Sequence, residues 1–319
     1  MLLNSKKGFT LVELLVVISI LGILAAALTT QVTKARAIGQ SMRCKANMRN
    51  LAQAAINFGI DTGCVPTAGS FEYAEHFYAD TGQLRYDLNL HNKESAWVAW
   101  TGSGNWPNVS PQAGSMSVSK FYAAQSENVS QSLAYDSIAK GALWSYVGKD
   151  LSTYCCDVFR TYARRDESIK ALRSYVMNGY FGYADAGNGV CSKHSDKINR
   201  EAATLSARGS AGNLLMFAEL PARNIDTSER GGDSVLETKI RGYTEGNSTE
   251  EMIGFNHEIS GSRGGAGGGK RYAAHVAFAD GHVDVLIEPR DASDSEIKEL
   301  TQLLCNGDEI TQALRSKMK

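Results

Sequence analysis

Five side chains near the end of the chain have the chemistry of metal ligands: His257, His275, Asp280, His282 and Asp284. Imidazole nitrogens mixed with carboxylate oxygens suit a transition metal, and His282 and Asp284 would share one face of a strand. A plainer expectation competes for the same stretch. Asp280-Gly281 lies between two alternating apolar runs, where Gly281 supplies a positive φ and Asp280 bonds nearby amides, as in a two-residue hairpin turn. Upstream, Gly264 to Lys270 reads GGAGGGK and has the glycines and lysine of a phosphate-cradling loop. Arg271 stands where the magnesium-binding Ser or Thr belongs, and no βαβ pattern surrounds it, so a solvated loop is expected. No run reads as an Asp-rich calcium loop, and no Ser/His/Asp spacing forms a nucleophile elbow. The residues point to no cofactor and to no catalytic machinery.

One further carboxylate is out of place. Phe9 to Leu28 is a run of 20 residues with a single charge, Glu13. About 20 apolar residues span a bilayer as a helix, so the transmembrane segment is placed at about 9–28. Lys6 and Lys7 keep the extreme N-terminus cytoplasmic and send the rest of the chain outward, as a single-pass protein of the cytoplasmic membrane. A secretory signal peptide with a cleavage site near Ala25-Ala26-Ala27, or a plain anchor, would satisfy the hydropathy. Neither explains Glu13. A carboxylate in lipid costs about 2.5–3.5 kcal/mol and is expected to have both a partner and a function.

The segment Lys6-Lys7-Gly8-Phe9-Thr10-Leu11-Val12-Glu13 and the apolar run after it resemble the type IV prepilin and type II secretion pseudopilin family. The resemblance implies cleavage by a prepilin peptidase between Gly8 and Phe9, N-methylation of Phe9, and assembly in which Glu13 neutralises the N-terminal ammonium of a neighbouring subunit. It further implies other pilin or pseudopilin subunits, an inner-membrane assembly platform and, before assembly, the lipid bilayer as partners. Major pseudopilins often carry calcium, the one ion the resemblance brings into view. A second likeness is to a large prepilin-like subgroup. Gly141 to Gly148 (GALWSYVG), Tyr154-Cys155 and Arg173 to Asn178 (RSYVMN) resemble its middle, and Phe278 to Val283 (FADGHV) its His-x9-Asp-Gly end. Here 22 residues separate His257 from Asp280, as if Glu258–Lys270 contained an insertion.

The elements that must position these residues follow from periodicity. Ala37, Ser41, Cys44, Met48, Leu51, Ala55 and Phe58 recur at spacings of three and four, one face of a helix. The first proline is Pro66, so one helix from Phe9 to about Thr62, ~80 Å long, is expected. Residues 1–8 are then a cleaved leader, 9–62 the helix, 63–290 an extracytoplasmic globular domain and 291–319 a helical tail. Candidate strands or short helices are Ala96–Trp100, Ala142–Val147, Ser174–Met177, Leu214–Ala218 and His275–Ile287. Ser293 and Glu296 form a capping box, and Asn306-Gly307 stops the helix that follows. The fold class is α+β, a long N-terminal helix packed on an antiparallel sheet.

Six cysteines, Cys44, Cys64, Cys155, Cys156, Cys191 and Cys305, lie beyond the membrane segment and are disulfide candidates of open pairing. Cys44 sits on the apolar stripe, placed to staple the helix to the domain. An unbroken helix would hold Cys44 and Cys64 ~25–30 Å apart, too far to pair. No Cys-x-x-Cys appears. With 33 Lys+Arg against 34 Asp+Glu and a net charge of -1, the chain is not a basic nucleic-acid binder, and no nucleic-acid partner is expected. Only 5 prolines and 43% hydrophobic residues exclude a disordered chain. The function that fits is a filament subunit. The rival from another class is a membrane-anchored domain binding glycan or metal. That rival would bind through the region from His257 to Asp284; separately, Trp97, Trp100, Trp106 and Trp144 would line a carbohydrate or partner surface, with core packing the plainer expectation.

Overall fold

The computed structural model describes residues 11–63, 65–70, 96–98, 135, 138–139, 141–165, 172–181, 183–184, 211–221, 235–236, 252–263 and 270–319. Gly8, Phe9, Cys64, Cys191, Trp100, Trp106 and the glycine run 264–269 lie outside them.

A single helix, α1, runs Leu11–Thr62. With no proline inside, the hydrogen-bond ladder continues over 52 residues, about 78 Å at the α-helical rise. Gly63 ends it at φ +82°, its N–H returning to Gly59 O at 2.9 Å. Only glycine enters that left-handed conformation without a Cβ penalty. The helix has two different halves. No residue described between Leu11 and Arg36 is buried, and Leu11 and Ile23 are 80% and 71% exposed. Along this half the hydroxyls of Ser19, Thr29 and Thr33 donate back to the carbonyls of Leu15, Ala26 and Thr29, so these polar atoms are satisfied within the helix. From Ala37 onward one face turns inward. Cys44, Met48, Leu51, Ala52, Ala55 and Phe58 are buried, on the stripe that the spacing predicts.

That stripe packs on a six-stranded sheet ordered β5 (Val235–Leu236), β2 (Tyr175–Asn178), β4 (Leu215–Glu219), β7 (Lys270–Phe278), β6 (His257–Arg263), with β8 (Val283–Ile287) also paired to β7. Pairing is antiparallel except between β2 and β5. β4 and β6 lie end to end along one edge of β7, since Ala218 is opposite Val276 while His257 is opposite Ala273. This junction matters for the site below. A separate two-stranded parallel pair joins β1 (Gly69–Ser70) to β3 (Tyr183–Ala184). The architecture is α+β, with the core between α1 and the sheet.

Several local expectations change. The turn after β7 is a three-residue loop, not a two-residue one. Gly281 N–H donates to Phe278 O and Phe278 N–H to His282 O, with Gly281 at φ +89°, a type I turn closed by a left-handed residue. Ala142–Val147 is a series of turns, and a 3-10 helix (Leu151–Tyr154) and a short helix α2 (Asp157–Ala163) follow it. Lys270 opens strand β7 and pairs with Glu258 at 2.8 Å, so the lysine of the glycine run does not start the helix that a phosphate loop requires. Within the stretch Glu258–Lys270, the described residues belong to β6 and the start of β7, which pair out to Arg263 and Lys270. Trp97 is buried, stacked on Tyr154 and edge-on to Phe217, so it is core.

The tail forms α3 (Asp294–Asn306) and α4 (Gln312–Met318). Ser293 and Glu296 make the capping box reciprocally, and Gly307 at φ +72° closes α3. Lys317 on α4 pairs with Glu296, and Arg271 on β7 donates to the carbonyls of Met318 and Lys319, which ties the tail to the sheet.

Candidate functional site

The five metal candidates separate into two places. Asp280, His282 and Asp284 stand at the exposed hairpin tip. There Asp280 Oδ1 is 2.6 Å from His282 Nδ1, Asp284 Oδ2 is 3.8 Å from His282 Nε2, and the imidazole stacks on Phe278 at 4.3 Å. His257 and His275 are instead buried beneath α1, their rings edge to face at 4.6 Å. The division follows from the hairpin. Its turn carries Asp280 and His282 out to solvent, while the strand bodies carry the other two histidines under the helix.

The buried histidines converge on Glu219, the last residue of β4. Its side chain is wholly buried, and four donors surround it: His275 Nδ1 at 2.8 Å, Asn256 Nδ2 at 3.0 Å, His257 Nε2 at 3.1 Å and the His275 backbone N–H at 3.3 Å. The end-to-end meeting of β4 and β6 on one edge of β7 creates this convergence. Gly254 brings the incoming chain close: a Cβ there would lie 2.3 Å from the Leu220 carbonyl, and the Gly254 N–H donates to Glu219 O at 2.7 Å. The helix closes the site from above. Ser41 Oγ is 3.0 Å from His275 Nε2, and Cys44, one turn further along α1, faces the same cluster. Cys156 completes it from the segment before α2, its N–H held by Ser174 Oγ at 2.6 Å and its Sγ 3.5 Å from His257 Nε2.

Cys44, Cys156, Glu219 and His257 thus offer one ligand atom each, all within 4.8 Å of one another and all buried. Among the described residues no other such group occurs. The electrostatics agree with the geometry. Burial would raise the Glu219 carboxyl, but the hydrogen bonds and charges of His257 and His275 outweigh it and bring the pKa down to about 2. Burial would lower His257, yet its bonds to Cys44 and Glu219 lift it to about 10. The hydrogen bond with Cys156 draws Cys44 down to about 6 against its burial, whereas burial pushes Cys156 well up. These directions favour the charged forms of the Glu219 carboxylate and the His257 imidazole, and they make the Cys44 thiol more acidic than that of Cys156.

Cys44, Cys155, Cys156 and Cys305, four of the disulfide candidates, stand as buried thiols without bridges. The adjacent pair divides its work. Cys156 joins the cluster, while Cys155 points its thiol at the Cys156 carbonyl and burial raises it to about 12. Cys44 reaches from helix to domain as a thiol. Sequence reasoning passed over Glu219, although its signal was present: a lone charge inside the apolar run Leu214–Leu220. Glu13, the single charge of the N-terminal apolar run, lies exposed in the first turn described for α1.

Residues 3–29 match the family described as the prokaryotic N-terminal methylation motif, the stretch that contains Lys6, Lys7, Gly8, Phe9 and Glu13. This is a leader of prepilin or pseudopilin type, and it implies a prepilin peptidase and pilin-type partners in general. With the apolar half of α1, long enough to cross a bilayer, it fits a membrane-anchored protein. Compared with curated proteins and with solved structures, the chain finds no match.

Proposed function

We propose that this chain is a structural, non-catalytic subunit of a type IV pilus-like or type II secretion filament. The observation that carries the reading is the exposed half of α1. A protein fold does not leave some 20 apolar residues in water, so lipid covers them before assembly and the helices of neighbouring subunits cover them afterwards. The methylation motif supports a processed leader; the proposed route is cleavage between Gly8 and Phe9, N-methylation of Phe9, and extraction into the filament on the assembly platform. Glu13 then faces the new N-terminal ammonium of an adjacent subunit, and each buried charge satisfies the other. The globular part stays outside the cytoplasm, carried on the packed half of α1.

Intact mass of the chain extracted from membranes tests the first step. The expected mass lacks Met1–Gly8 and gains one methyl group. An uncut chain, or one beginning near Leu28, would exclude this route.

A further inference from the structure

We infer that Cys44, Cys156, Glu219 and His257 form a structural site for a thiophilic divalent cation of the zinc class, which clamps α1 to the sheet. The inference does not depend on the filament reading. A metal site of this type needs four donors at tetrahedral separations, deprotonatable sulfur, exclusion of water and oriented ligands. Bonds of 2.0–2.3 Å to a tetrahedral ion place neighbouring ligand atoms about 3.3–3.8 Å apart. The separations of His257 Nε2 from Cys156 Sγ, 3.5 Å, and from Glu219 Oε1, 3.1 Å, already lie at or near that edge length. All four residues are buried, with a pairwise spread under 4.8 Å, so a small inward shift closes the tetrahedron.

Each ligand comes from a different part of the chain: α1, the segment before α2, the end of β4 and the start of β6. Surrounding bonds hold the ligands in orientation. His275 Nδ1 and Asn256 Nδ2 donate to the two oxygens of Glu219, Ser41 braces His275 from the helix, and Ser174 fixes the Cys156 backbone. Two sulfurs select a borderline-soft ion over calcium or magnesium, which take oxygen shells. Four protein ligands leave no open position, so the role is structural. On binding, each thiol still protonated gives its proton to solvent, and His257 Nε2 gives up the proton it shares with Glu219. The competing use of the same sulfurs is a Cys44–Cys156 disulfide, which would need neither His257 nor Glu219 beside it.

The test uses the full chain in detergent, reduced and stripped of metal, with zinc and then cobalt as probes. One ion per chain is expected. Cobalt should show thiolate charge-transfer bands and the intense visible absorption of a tetrahedral centre. C44S and C156S should each remove part of the charge-transfer band and weaken zinc binding at least about tenfold, since losing even an outer-shell partner of a ligand costs that much. C155S, one residue away, should leave both unchanged. Substoichiometric metal in the fully reduced wild-type chain would overturn the inference whether or not the variants fold. So would a charge-transfer band of undiminished intensity in either C44S or C156S, or a Cys44–Cys156 disulfide in chain alkylated directly from membranes. The leader-processing mass is unaffected by any of these outcomes, so failure here is distinguishable from failure of the filament reading.

Discussion

Glu219 shows how one residue organises a site. A buried carboxylate is unfavourable unless donors surround it, and four converge here from β6, β7 and the segment just before β6. Removing it leaves His257, His275 and Asn256 facing a void under α1. Glu219→Ala in the metal-free chain is therefore expected to cost about 3–5 kcal/mol, the penalty for breaking a buried charge pair. Urea unfolding of the detergent-solubilised chain would measure it. A loss below about 1 kcal/mol would mean that the network does not hold helix to sheet. The lone-charge argument that singles out Glu13 applies equally to Glu219, and the difference lies in surroundings. Glu13 is exposed on the half of α1 that the fold leaves bare, whereas Glu219 is sealed beneath α1 among its donors.

At the scale of elements, the start of α3 shows local sequence acting as written. Ser293 accepts from the Glu296 N–H, Glu296 accepts from the Ser293 N–H, and Lys317 adds a charge from α4. The bond to Lys317 is the main cause that holds the Glu296 carboxyl below its usual value of 4.5. Because the folded value is the lower one, its stabilising contribution is complete above the unfolded pKa and disappears as pH falls through the folded pKa. Glu296→Gln should therefore separate from wild type in thermal midpoint at neutral pH, and the two should converge in acid below the ordinary carboxylate range. A gap that persists unchanged into acid would remove the pairing as its cause. The β6–β7 hairpin behaves differently. Its strand β6 carries Gly and Ser among its residues and has no clear alternation, so its extended form depends on pairing with β7.

At the scale of the whole molecule, α1 divides the protein into a half that needs other molecules and a half that does not. Residues up to Arg36 expose their apolar side chains, and from Ala37 the stripe is sealed against the sheet. Assembly acts on the first half and the buried cluster on the second, so the two can be perturbed separately. Glu13→Ala should leave cleavage largely intact and sharply reduce recovery of the chain in sheared filament fractions, with the cluster undisturbed. Normal incorporation would remove the proposed role of that charge.

Local pattern by itself determined the long helix, its apolar stripe, the capped tail and the leader, because each is written in spacings of a few residues. It also marked His257, His275, Asp280, His282 and Asp284 as groups with ligand chemistry. Tertiary structure decided which of these meet. Cys44 and Cys156 are separated by more than a hundred residues, and Glu219 and His257 by 38, so no window of sequence places them together. The end-to-end pairing of β4 and β6 on β7, with α1 laid across the junction, brings their four ligand atoms within reach of one ion. The same sheet leaves Asp280 and His282 exposed at the β7–β8 turn, beyond the strand bodies that bury His257 and His275 under α1.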